Sequence, residues 1–244
     1  MIRTLAILGM LIAFLNLKGQ VGNTTQDSIS SDTANNYIIN YLSYTDVGFL
    51  WSGQLSQDER LGFIGEDFER IQIHFNSIIH NYDNPYEYLV YGKSMVKNSV
   101  CEFQGSIIIY EVGFESGSTD SSIRLGFING DFLFYENKSC LHSGIFQGEF
   151  RTNFYLDKTE TLYYDDIDSE EYTFINNSFT GKWFHYDSDL EQVCNWGDKR
   201  IPESSGLDIG LEKFKPSFQY FKSGWEDYNK EKEQDTVESV PWWK

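Results

Sequence analysis

The sequence predicts an all-β fold, an antiparallel meander closed or nearly closed into a barrel, and three observations carry that prediction. The pattern aromatic-x-Gly-x-apolar recurs as Trp51-Ser52-Gly53-Gln54-Leu55, Phe103-Gln104-Gly105-Ser106-Ile107, Phe146-Gln147-Gly148-Glu149-Phe150 and Phe179-Thr180-Gly181-Lys182-Trp183. A glycine inside a strand marks a bulge, a sharp bend or a close approach of backbones, and curved sheets need such points to close. Stretches of strand-forming residues follow one another at short spacing with turn residues between them, which favours a meander over βαβ units. Finally, 17% of the 244 residues are aromatic, with 20 glycines and only 4 prolines, a composition that suits pleated surfaces.

The elements follow in order. Glu69 to Phe75 alternates, so Ile71, Ile73 and Phe75 face one side of a sheet and Arg70, Gln72 and His74 the other. Tyr82-Asp83-Asn84-Pro85 supplies a turn, because Asp and Asn bond locally to the backbone and Pro fixes φ. A strand from Glu87 to Val96 turns at Lys97-Asn98 into a long strand, Val100 to Val112, bent at Gly105. After a turn at Gly117 to Asp120 come strands at Ile123 to Phe127, Asp131 to Glu136, and Gly144 to Asp157 with its bend at Gly148. Asp157 to Glu160 closes a hairpin, followed by Thr161 to Tyr164 and by Ser178 to Tyr186, bent at Gly181. Cys194 to Pro202 breaks the strand rhythm and reads as a loop capping the barrel, and Leu207 to Trp225 reads as one or two closing strands.

Residues 1–20 read as a secretory signal peptide: Arg3, an apolar run from Leu5 to Leu15, then Lys18-Gly19-Gln20. That run is shorter than the roughly 20 residues a span needs, so no transmembrane segment is expected in a mature chain that is secreted or periplasmic. Residues 21–36 read as a flexible leader, 37–228 as a single barrel domain and 229–244 as a charged flexible tail ending in the unexplained pair Trp242-Trp243. The formal charge is −18, and −20 without Arg3 and Lys18. Phosphate backbones demand clustered Lys and Arg, so nucleic acid is excluded as a partner. A monomer is expected.

Chemistry-bearing residues are sparse. No GxSxG, HExxH or phosphate-binding loop is present, so no catalytic residues, enzyme activity or cofactor are assigned. Asp165, Asp166 and Asp168 crowd one run and could offer oxygen ligands to Ca²⁺, although a charged hairpin tip that keeps an edge soluble is the preferred reading of them. His74 falls on the polar face of its strand, facing solvent or lumen; no pair of histidines has metal-ligand spacing. Trp196 and Trp225 are candidates for ligand contact or for stacking platforms. Cys101, Cys140 and Cys194 allow one disulfide in any of three pairings, with one thiol left over.

The signal peptide, the single domain of mature chain, the successive antiparallel strands and the glycine-kinked aromatic segments over Tyr37 to Trp225 resemble the calycin superfold, the lipocalin and fatty-acid-binding barrels, and the stretch Cys194-Asn195-Trp196-Gly197-Asp198 resembles exported bacterial proteins of unknown function. The lipocalin-like reading implies a non-catalytic binding protein whose ligand is an apolar or amphipathic small molecule held inside, or a protein partner. A cell-surface module for glycan or host protein is the competing expectation, and an unrecognised hydrolase or an outer-membrane barrel the remaining ones.

Overall fold

Eight strands close into an antiparallel barrel in the computed structural model, which describes residues 41, 44–52, 60–115, 122–167, 174–226, 228 and 241–244. The expected signal peptide and leader, and most of the expected tail, lie outside the described residues, as does Gly53 of the first pentapeptide. The strands are β1 (Arg60–Ile64), β2 (Glu69–His80), β3 (Glu87–Val96), β4 (Ser99–Phe114), β5 (Arg124–Glu136), β6 (Gly144–Leu156), β7 (Leu162–Tyr164), β8 (Asn176–His185) and β9 (Glu191–Asp198). Neighbours pair in the order β1-β2-β3-β4-β5-β6-β8-β9, and β9 returns to β1, giving a lipocalin-like topology. The short β7 pairs with the distal end of β6, beyond the stretch that β8 uses.

Alternation along each strand decides which residues fill the barrel. Ile71, Ile73 and Phe75 of β2 point inward as expected, joined by Phe103 and Ile107 of β4, Phe132 and Phe134 of β5, Phe146 and Phe150 of β6, and Phe179 of β8. In the three complete pentapeptides the aromatic, the glycine and the apolar residue are spaced two apart and share the inward face. The glycines mark close backbone approach rather than bulges. A methyl on Gly105 would lie 1.9 Å from the Leu133 carbonyl oxygen, and Gly148 sits directly opposite Gly181, where a methyl would lie 2.1 Å from the Thr180 carbonyl oxygen. The register shifts fall elsewhere, between Phe75 and Ser77, Ile109 and Glu111, and Asn176 and Phe179.

Three expectations are corrected. Cys194 to Asp198 belongs to strand β9, which closes the barrel against β1. Both faces of that strand are covered, so the polar-apolar alternation that reveals a half-buried strand is missing from it. Leu207 to Trp225 forms turns and a 3-10 helix, Phe218–Ser223, in place of a closing strand. This segment packs on the outside of β1, where Leu61 and Phe63 meet Ile201, Leu207, Phe214, Trp225 and Tyr228 in a second apolar cluster. Finally, the two strands expected between Ile123 and Glu136 are one, Arg124–Glu136, with Asn129-Gly130 continuous in the ladder against β6.

Candidate binding surface

The lumen is filled by side chains. Rings from opposite walls meet across the axis: Phe132 of β5 lies 5.0 Å from Trp196 of β9, and Phe75 of β2 lies 6.0 Å from Phe179 of β8. Trp196 stacks on Phe179 at 5.1 Å and 14°. Such edge-to-face and offset contacts add about 0.5–1.5 kcal/mol each beyond area burial.

Each end of the barrel is finished by a buried polar cluster. At one end the 3-10 turn Gly48–Trp51 inserts Leu50 and Trp51 into the core. Trp51 Nε1 donates to Thr152 Oγ1 at 2.8 Å, Thr152 donates to Asn177 Oδ1, and Asn177 Nδ2 donates both to the Leu50 carbonyl and to Asp198 Oδ2 at 2.7 Å. Asp198 also accepts from Tyr164 and faces Arg60 at 3.4 Å, while Arg60 donates to the Trp51 carbonyl. Asn177 adopts φ +46, a left-handed conformation that Asn tolerates better than most residues and that lets its amide turn inward. Burial and the Asp198 carboxylate push the Tyr164 phenol far up.

At the opposite end Glu136 accepts from Ser94 Oγ at 2.6 Å, Gly144 N at 2.9 Å and Trp183 Nε1 at 2.9 Å. Burial raises its pKa in spite of these three donors, whose effect is to lower it. Folding therefore favours its protonated form, so this contribution to stability is present below the ordinary carboxylate range and is lost as pH rises through the raised value. Glu136→Gln is expected to remove that slope, read from urea unfolding midpoints between about pH 4 and about pH 7. The nearby Cys194 thiol is pushed well up, by burial first and by Glu136 second, which makes it a poor nucleophile. Cys101 and Cys140 form the disulfide and leave Cys194 free and buried.

The outer wall carries a surface groove. A groove of about 610 Å³ runs over β3, β4, β5 and the β5–β6 hairpin, lined by Tyr91, Glu102, Gln104, Tyr135, Lys138 and Tyr186 among others. Register explains the grouping: Tyr91 pairs with Gln104, and Gln104 with Tyr135, so two tyrosines flank one amide in a single row across the sheet. Tyr186 donates to the Glu136 carbonyl at 2.8 Å, and Lys138 Nζ lies 4.9 Å over its ring. Tyr91 hydrogen-bonds the Glu102 carboxylate, which raises its pKa and keeps it protonated.

The candidates from sequence fall elsewhere. Trp196 is 1% exposed inside the barrel and Trp225 is 0% exposed in the outer cluster, its Nε1 donating to the Phe68 carbonyl at 2.6 Å. His74 does lie on the outer face of β2, stacked under Trp243 at 4.2 Å and 16°, with Trp242 edge-on at 6.5 Å. Burial, then the charges of Arg60 and Lys93, lower its pKa to about 4. The imidazole is neutral at pH 7, and its stability contribution, present above the ordinary value of 6.5, is lost as pH falls through about 4. Trp243→Ala is expected to move the His74 titration upward from about 4, followed by imidazole proton shifts. Asp165 and Asp166 stand in a loop where Asp165 Oδ1 accepts from Ile167 N, Asp168 is outside the described residues, and no cluster of three metal-type side chains forms among those described.

Tyr91, Tyr135 and Tyr186 were not singled out in the sequence, although the signal was there. Once Phe103, Phe132 and Phe134 are placed inward, the period of two sends Tyr91, Gln104 and Tyr135 outward. Comparison with protein-family models, curated proteins and solved structures gives no match to this chain.

Proposed function

We propose that this is an exported, non-catalytic binding protein that holds a partner polypeptide on its outer wall, in the tyrosine groove of β3 to β6. The observation that carries this reading is the contrast between a lumen closed by rings in contact and an outer groove of about 610 Å³ with three tyrosines on it. Tyrosines supply large contact area at low entropic cost and are enriched at interfaces. The Cys101–Cys140 disulfide supports an oxidising compartment, and no helix among the described residues is long and apolar enough to cross a membrane.

A photo-crosslinking side chain at position 135 is expected to give a polypeptide adduct of defined mass in protein kept in its native medium, and Tyr91→Ala is expected to abolish it. The same group at position 163, an exposed tyrosine on β7, should give none. Equal labelling from both positions, or labelling indifferent to Tyr91→Ala, would contradict the proposal. A second reading, an oligosaccharide in the groove, is favoured by tyrosine rings that share one lining with the amides of Gln104 and Asn137.

A further inference from the structure

Beyond the tyrosine groove the outer face of β4 continues as an exposed strip. Along β4 the outward residues are Gln104, Ser106, Ile108 and, at the register shift itself, Tyr110. Gln104 lies between Tyr91 and Tyr135, small Ser106 lies between Leu89 and Leu133, and Ile108 lies between Glu87 and Asp131. Only at Ser106 do larger side chains on both neighbouring strands, Leu89 and Leu133, stand over a small residue, and Ile108 and Tyr110 project from the middle strand itself. From Gln104 to Tyr110 this strip spans about 20 Å, the length of about six extended residues. Its apolar members are open to solvent, with Leu89, Ile108 and Tyr110 exposed by 47%, 42% and 56%.

Its far end is acidic. Asp131 faces Ile108 on one side and pairs with Glu149 of β6 on the other. Burial and then the carboxylates of Glu149, Asp131 and Glu111 raise the Tyr110 phenol, which places that ring inside their field. The basic side chains of this wall stand away from its acidic end: Arg151 pairs with Glu115 and covers Phe127, while Lys138 over Tyr186 and Lys93 opposite Glu102 lie at the tyrosine end. Among the described residues no lysine or arginine forms an ion pair with Glu87, Asp131 or Glu149. The whole chain carries −18, so the long-range field attracts the same sign of partner as the local one.

Resting on the outer-wall reading, we infer that the exposed strip along β4 takes an extended cationic segment of a partner protein, with its apolar side chains against Leu89, Ile108, Leu133 and the tyrosines and its lysines or arginines at Asp131 and Glu149. The aliphatic walls fit side chains of a peptide better than the hydroxylated edges of a sugar. The carboxylates set the charge of the occupant, and the about 20 Å length sets its extent.

Calorimetric titration of the full chain tests this with two octapeptides, one alternating lysine with tyrosine and the other glutamate with tyrosine. The cationic peptide is expected to bind at least about fivefold tighter than the anionic one and to weaken on going from about 50 mM to about 300 mM salt. The Asp131→Asn/Glu149→Gln variant should lose about fivefold in affinity for it, and Tyr135→Ala should also weaken it. All three substituted residues sit on the outer face, and unchanged thermal melts would confirm that the variants fold. Binding that depends on Tyr135 but ignores peptide charge, salt and the double variant would overturn the cationic partner and leave the outer-wall reading standing. Binding indifferent to Tyr135→Ala would bring down the outer-wall reading itself. Failure of both peptides, with or without uptake of an oligosaccharide in the groove, would overturn the inference as to partner class.

Discussion

Gly105→Ala is expected to cost more than about 4 kcal/mol and to leave little folded protein. A methyl there lies 1.9 Å from the Leu133 carbonyl oxygen and 2.9 Å from the Phe134 Cα. Both contacts are backbone atoms of the paired strand β5, so relief requires β4 and β5 to separate and their ladder to break. Overpacking in a core that relaxes by side-chain movement costs about 1–3 kcal/mol, and Gly113 in the same strand provides that comparison. A methyl on Gly113 meets the far edge of the Phe127 ring at 2.5 Å, an obstacle that rotates away. Gly113→Ala should therefore lose far less than Gly105→Ala in urea unfolding, and equal losses would remove close strand approach as the reason for the glycine.

Asp198→Ala is the second large effect, expected at about 4 kcal/mol. The carboxylate is 1% exposed and receives Tyr164, Asn177 and Arg60. Its removal leaves a guanidinium whose side chain is 8% exposed without its counter-ion, and breaking one partner of a buried pair typically costs about 3–5 kcal/mol. Asp198→Asn keeps an acceptor for Tyr164 and Asn177 and should lose less. Because Trp51, Thr152 and Asn177 belong to the same chain of hydrogen bonds, Asp198→Ala and Thr152→Val should couple in a double-mutant cycle, whereas Asp198→Ala and Tyr135→Ala should add.

The barrel was legible in the sequence where one face of a strand meets solvent. In β2 the order Ile71-Gln72-Ile73-His74-Phe75 gives inward and outward sets directly, and hairpin turns such as Lys97-Asn98 fix the neighbours. Legibility fails where both faces are covered: Cys194, Asn195, Trp196 and Gly197 are all buried in β9, so the closing strand reads as a loop. The cover itself, Leu207 to Tyr228, has no period to read because it packs through isolated anchors such as Trp225 and Phe214 on the outside of β1. The candidate surface was hidden for a different reason. Tyr91 and Tyr135 lie 44 positions apart in the sequence, and only the register of β3, β4 and β5 brings them to either side of Gln104. Trp196 and Trp225, the largest rings and the natural candidates, are buried because the core and its outer cover both need them.

In the proposed reading the outer wall of β3 to β5, and not the lumen, meets the ligand. Methyl spectra of isoleucine- and leucine-labelled protein titrated with the lysine-tyrosine peptide test it most directly, because neighbouring residues on one strand report opposite faces. Ile108, Leu89 and Leu133 point outward, whereas Ile107, Ile109 and Ile128 lie in the core. Shifts concentrated on Ile108, Leu89 and Leu133, with Ile107, Ile109 and Ile128 unmoved, are the predicted result. Shifts on Ile107, Ile109 and Ile128, with Ile108, Leu89 and Leu133 unmoved, would place the ligand inside the barrel and contradict the account.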